Sequence, residues 1–500
     1  MDRPASRAAG QAPKAEFGEA SVVARASRSR PEGNTVRPPA DPRDSVDRMA
    51  ETLPTTPEHE PELSSEAGFH PDLDETAIIA RDLIRFDTTN HGEGRSNGER
   101  EAAEYVEARL RAMGLDPVMH ESAPRRANVV ARVPGANPGK PALVLHGHLD
   151  VVPADPRNWS VDPFAGEIRD GMLWGRGAVD MKDMDAMILT AVGDILAEGR
   201  LPERELILGF FADEEAGGLY GASWLVDEHP ELFAGATEAI SEVGGYSITV
   251  GGRRAYLLQT GEKSLVWVRL VAHGTAAHGS RLVRDNAVTK LAEAIARIGR
   301  REWPIRLTGT TRELLAAIAG ALGVDPEQVS PDELALATGS ASGFITATLR
   351  TTSNPTLLLA GYKHNVIPDR AEALVDIRTL PGEEDAVLAE IGELLGPDVE
   401  LEIVHRDVGL EAPTRGPLVD AVTHALHAHD PEAAVFPYLL SGGTDNKALS
   451  RLGVAGYGFA PLRLPDGLDF PAMFHGVDER VPLDALVFGR QVLKDLLLAY

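Results

Sequence analysis

The chain has 500 residues, 76 acidic against 49 basic, for a formal charge of −27, and it contains no cysteine. A field of that sign repels phosphate backbones and excludes general nucleic-acid binding; the absent thiols exclude disulfides, thiolate metal sites and cysteine nucleophiles. Hydrophobic residues at 43% suffice for a core, and no run of about 18 apolar residues is present to span a membrane.

Residues 1–74 hold 10 of the 35 prolines and no Ile, Trp or Tyr. A segment so poor in large apolar side chains cannot offset its ordering entropy, so it reads as a disordered tail. It has no apolar stretch of the secretory-signal kind, which makes the expected location cytoplasmic. Order is expected from Glu75, where Ala77, Ile78, Leu83 and Ile84 suit an amphipathic helix, followed by a helix over Ala102–Met113. Apolar runs at Ala142–His146 and Glu205–Phe211 predict buried strands, with a helix over Met184–Glu198 between them. This alternation predicts an α/β domain with a central, mostly parallel sheet.

A second style begins near Ser264. Ser264–Ala272 alternates polar and apolar residues as a half-buried strand does. A helix over Asn286–Ile298, strands at Phe344–Arg350 and Ala373–Arg378, a helix over Glu383–Leu395 and a strand at Val399–Val404 complete a ferredoxin-like α+β unit, with a helical insertion near Arg312–Leu336. Helices over Leu418–His429 and Leu483–Leu498 resume the first style. The expected organisation is a tail over 1–74, a first domain over 75–256 and 412–500, and an inserted domain over 257–411.

Five segments concentrate acids and histidines: His146-Gly147-His148-Leu149-Asp150, the loop Gly175–Lys182 carrying Asp180, Asp213-Glu214-Glu215, Glu242, and Phe474–Glu479 carrying His475. Singly, each reads as a solvated charge cluster, a helix cap or a surface histidine. Jointly, they follow apolar strands or precede helices in one domain, where α/β sheets gather ligands. The set offers two imidazoles and three carboxylates as ligands and one acid to spare, the donor chemistry of a two-metal hydrolase built without sulfur. The spare acid would accept a proton.

The motifs HGHLDVVP, GRGAVDMK, DEE, the glutamate before GG, and FHGVDE resemble, in order, those of the metallopeptidase superfamily of glutamate carboxypeptidase, aminoacylase, acetylornithine deacetylase and succinyl-diaminopimelate desuccinylase. The resemblance spans roughly residues 75–500. LRTTSNPTLLLAGYKHNVIP and FHGVDERVP resemble most the carboxypeptidase S and N-fatty-acyl-amino-acid hydrolase branch. It implies an inserted lid that forms a homodimer and two Zn²⁺ per chain, with Co²⁺ or Mn²⁺ as substitutes.

By the same resemblance, His148 and Glu242 would bind one metal, Glu215 and His475 the other, and Asp180 both. Glu214 would be the general base, Asp150 would orient the His148 ring, and the Asp180–Met181 peptide would be cis. His146 lies at a position the family does not use as a ligand. His278 would reach a neighbouring subunit's site to stabilise the oxyanion, and Asn365, Arg378, Gly443 and Thr444 would hold substrate. Asp183 and Val243 stand where the family often has glycine. The implied activity is hydrolysis of the amide bond in a small peptide or N-acyl amino acid with a free carboxylate. A deacylase and a non-catalytic peptide-binding relative are the alternatives.

Overall fold

A computed structural model describes residues 73–500. The tail expected over 1–74 lies outside the described residues except for its last two. Asp74 caps the first helix, Glu75–Ile84, by accepting the Thr76 N–H.

The large sheet has ten strands. Its middle is parallel: Ala455–Gly458, Ala236–Ser241, Ala142–His148 and Leu206–Phe211 lie side by side. Toward its flanks antiparallel pairs enter, beside a further parallel pair of Arg253–Glu262 with Ala434–Leu440. Arg126–Val133 pairs with Leu206–Phe211 and with Val118–Ala123, and Arg253–Glu262 pairs with Ser247–Val250. The sheet is therefore mixed, which corrects the expectation of a mostly parallel one. The cause is local: Gly251-Gly252 and Pro124-Arg125 are two-residue connections, and links that short join only antiparallel neighbours. Ala142–His148 and Leu206–Phe211 are buried along their whole length, as strands covered on both faces must be. Helices Lys182–Ala197, Glu75–Ile84 and Leu483–Ala499 pack together in the large core. Gly147 permits close packing here, since a Cβ would lie 2.2 Å from Asp185 Oδ1.

A separate four-stranded sheet is wholly antiparallel, ordered Thr352–Ala360, Arg370–Thr379, Ser264–His273, Val399–Arg406. With helices Ala287–Gly299 and Glu384–Leu395 it has a core of its own, including Val268, Leu270, Leu291, Val375 and Ile391. The order strand-helix-strand-strand-helix-strand is as read from the sequence, but its second strand is elsewhere. Residues expected as the strand Phe344–Arg350 form the helix Ser342–Thr348, and the strand is Thr352–Ala360. Short apolar runs carry no decisive period, so Ile345 and Thr348 turn inward together as a helical pair. The real strand was hidden by Pro355 and by an exposed surface, both marks of a sheet edge. Two further details differ. The expected boundary at 257 falls inside Arg253–Glu262 of the large sheet, and helix Gly309–Leu322 packs its Leu314 and Ile318 into the large core. Among the described residues, no helix is long and apolar enough to cross a membrane.

Candidate metal centre

Three neighbouring parallel strands end at one edge of the large sheet. His148 closes the first, Glu214 and Glu215 follow the second after Phe211, and Glu242 follows the third after Ser241. Parallel strands deliver their C-terminal ends to one side, so three distant sequence segments meet without any special loop. Asp180 enters from the loop before helix Lys182–Ala197, and His475 from the turn after Pro471–Met473.

The distances place Asp180 between two imidazoles. Its Oδ1 lies 3.1 Å from His148 Nε2, and its Oδ2 lies 3.3 Å from His475 Nε2. Glu242 stands 3.6 Å from His148 Nε2, and Glu215 stands 3.1 Å from His475 Nε2. Glu214 is farther, at 3.9 Å from His148 Nε2. His148, Glu214 and Glu242 each offer a ligand atom within 4.8 Å of the others, and so do His148, Asp180 and Glu215. These two groups share His148, while Asp180 faces both imidazoles. The Asp180–Met181 peptide is cis.

The electrostatics call for cations. Burial raises Glu242 to about 7, and burial together with Glu242 raises Glu214 well above the carboxylate range. Burial would also raise Asp180, but hydrogen bonds from His148 and His475 hold it far below the usual value. Burial opposes charging His148, yet the neighbouring Glu242 and Asp180 outweigh it and raise the ring well above its ordinary pKa. His475, 58% exposed, is raised to about 10 by hydrogen bonds to Asp180 and Glu215. Glu215 Oε1 is buried without a hydrogen-bond partner. Once ionised, these carboxylates would carry the charge that two divalent ions neutralise, and nitrogen and oxygen donors without sulfur suit Zn²⁺ and its neighbours. The residues fit the metals that the sequence implied.

The supporting shell differs from the expectation in one respect. The His148 Nδ1–H is held by the backbone carbonyl of Asp150 at 2.9 Å, while the Asp150 carboxylate is 3.6 Å away. That carboxylate instead accepts the backbone N–H groups of Glu214 and Glu215, at 3.1 and 3.2 Å, and the Asn90 amide at 2.9 Å. Asp150 therefore shapes the turn that presents both glutamates as well as the ring. Asp213 turns away from the cluster to Arg126 at 2.7 Å and Asn90 at 3.0 Å. Glu479, fully buried, accepts N–H groups of Gly177, Val179 and Asp180 and pairs with Arg176 at 2.6 Å. It fixes the loop that carries Asp180. Sequence reasoning passed over Asn90, Arg126 and Glu479 as supports; only Glu479 had a signal, in the motif FHGVDE. His146 is buried, stacked on Phe211 and bonded to Asn446 at 3.0 Å, consistent with a structural role.

The candidate substrate residues are placed differently. His278 and Asn365 lie together, through a two-stranded ribbon of Ala277–His278 and Val366–Ile367. His278 is exposed and bonded to Ser280. Arg378 forks onto Asp376, at 2.7 and 3.0 Å, on the four-stranded sheet. Thr444 donates its N–H and hydroxyl to the buried Glu262. Among the described residues, no hydrogen bond or ion pair joins His278, Asn365 or Arg378 to the acid–histidine cluster.

Acids and imidazoles gathered at the strand ends of an α/β sheet, in this arrangement, are the donor set of a metal-dependent hydrolase. The model of Peptidase family M20/M25/M40 matches residues 144–499. The chain belongs to that family. It is 27% identical over 409 residues to Aminoacylase-1 of Sus scrofa, covering 80% of this chain and 89% of that protein. It is also 27% identical over 372 residues to the N-fatty-acyl-amino acid synthase/hydrolase of Bos taurus, covering 71% and 73%. Its fold matches that of a metallo-carboxypeptidase from Sulfolobus solfataricus with a TM-score of 0.68 at 20% identity, covering 85% of this chain and 99% of that one.

Proposed function

We propose that this enzyme hydrolyses the amide bond of small peptides or N-acyl amino acids that carry a free α-carboxylate, with two metal ions, Zn²⁺ foremost. The observation that carries the reading is Asp180, whose two oxygens face His148 and His475 at 3.1 and 3.3 Å. His148, Glu242, Asp180, Glu215 and His475 would hold the metals. When bound, these supply Lewis acidity that lowers the pKa of water and polarises a carbonyl. Glu214, at 3.9 Å from His148 Nε2, takes the proton of the attacking water and returns it to the leaving amine. Asn365, Arg378, Gly443 and Thr444 bind the substrate, and a partner subunit's copy of His278 stabilises the oxyanion.

The four-stranded sheet serves in this reading as an inserted lid and dimerisation unit. Its edge strand Thr352–Ala360 leaves Leu357, Leu358 and Leu359 exposed, a row suited to a second copy. The same reading keeps the protein in the cytoplasm.

A second reading, deacylation of N-acyl amino acids in preference to peptide cleavage, is favoured by the aminoacylase and N-fatty-acyl-amino acid hydrolase relatives. The test is a hydrolysis screen of metal-reconstituted protein on dipeptides and on N-acyl amino acids of rising chain length. Turnover of dipeptides above acyl substrates supports the first reading, and the reverse supports the second. Turnover of neither, with metal bound, defeats both.

A further inference from the structure

The chain passes between the two sheets twice, and one lysine touches both crossings. Outward, Glu262 ends a strand of the large sheet and Ser264 begins the small one, so Lys263 is the first crossing. Inward, Arg406 ends the small sheet and Leu410 rejoins the large one, so residues 407–409 are the second. The crossings are tied to each other: the Leu265 N–H donates to the Asp407 carboxylate, and the Asp407 N–H to the Leu265 carbonyl. Lys447 Nζ donates to the Lys263 carbonyl at 2.7 Å and pairs with Asp407 Oδ2 at 2.9 Å.

Lys447 belongs to the helix that follows the loop Ser441–Asp445, whose Gly443 and Thr444 are candidate substrate groups. The loop is tied to the outward crossing as well, because the Thr444 N–H and hydroxyl both donate to Glu262, at 3.0 and 2.7 Å. Gly443 makes room for the clamp: a Cβ there would meet Lys447 Cε at 2.7 Å. The junction also borders the cluster. A Cβ on Gly217 would lie 3.6 Å from the His405 ring, on the last strand of the small sheet, two residues beyond Glu215. Both partners of the Lys447–Asp407 pair are largely buried, with side chains 11% and 19% exposed, so the bond is charge-assisted and shielded from water.

We infer that Lys447 is a positioning residue: it fastens both crossings to the glycine-rich loop and so sets the small sheet, with Asn365 and Arg378, relative to the metal cluster. The inference concerns where substrate groups are held, and its kinetic arm rests on the proposed function.

The experiment uses the full chain and exploits its lack of native cysteine. Spin labels at cysteines introduced at exposed Asp170 and Glu393 report the distance between the large and small parts. The comparison is wild type against Lys447→Met, which keeps the apolar stem, and Lys447→Arg, which keeps the charge. Wild type and Lys447→Arg should show one narrow distance population; Lys447→Met should show a broadened or second one. In Lys447→Met, KM should rise about tenfold, the low end for a lost hydrogen bond to a charged group, with kcat changed less and metal content kept. Lys447→Arg should restore KM. Should Lys447→Met fail to fold, Asp407→Asn removes the same ion pair and carries the same expectation. Wild-type distances in the folded variant overturn the inference. Equal losses in kcat and KM that Lys447→Arg does not restore would overturn it too. A wild type that hydrolyses nothing defeats the proposed function alone, since the distances still decide this one.

Discussion

The edge of the large sheet and the four-stranded sheet handle their charges in opposite ways. At the edge, His148, Asp180, Glu214, Glu215 and Glu242 converge, and Asp150 and Glu479 bind backbone N–H groups to keep them there. On the small sheet, Arg378 is satisfied by Asp376 two residues away, and on the two-stranded ribbon His278 is satisfied by Ser280. A charge cluster that costs energy persists only where the fold forces it and something compensates it. A recognition residue has no such need and can rest on a local partner until substrate arrives. In the proposed reading the chemistry is assembled within one chain, whereas recognition would need a further meeting of parts.

The largest effect that would sharpen this contrast is metal removal. Chelation should abolish hydrolysis, and returning Zn²⁺ should restore activity and raise Tm, because the ions bind the folded state alone. Full activity in protein verified as metal-free would break the contrast at its root.

Next in size is Glu214→Gln. Glu214 stands beside the ligand set, so the variant should keep its metal by elemental analysis and lose about 100- to 10,000-fold in kcat. Lost metal with unchanged turnover per bound ion would make Glu214 a ligand.

The recognition side is probed through Arg378. Amidating the substrate carboxylate should cost at least about tenfold in kcat/KM, and Arg378→Ala should cost a similar factor on the acid but far less on the amide. If the two losses simply multiply, Arg378 is a surface arginine that serves Asp376 and nothing else.

A further effect concerns the support. Asp150→Asn leaves one acceptor where two N–H groups and an amide now bind. Metal affinity should fall by about 10- to 100-fold, read by competition with a chelating dye. Unchanged affinity would show that the Glu214–Glu215 turn holds its own shape.

Much of the molecule was legible before any coordinates. The buried strands around His148 and Phe211 read as uninterrupted apolar runs, because strands covered on both faces need no alternation. Every member of the acid–histidine cluster stood out as well, since acids and imidazoles cost most where apolar strands end. The helix Ser342–Thr348 and the strand Thr352–Ala360 were misplaced, because a seven-residue apolar segment fits either period and Pro355 disguises an edge.

By itself, then, the sequence determined the class of chemistry through its ordered motifs, and with no cysteine any metal had to be bound by histidine and carboxylate. Tertiary structure alone decided how those residues are supported. Asn90, Arg126 and Lys447 act across 60 or more positions of chain, on Asp150, Asp213 and Lys263. A hydrogen bond between distant segments leaves no period and no local motif. Only the packing that brings its two ends within 3 Å makes it visible.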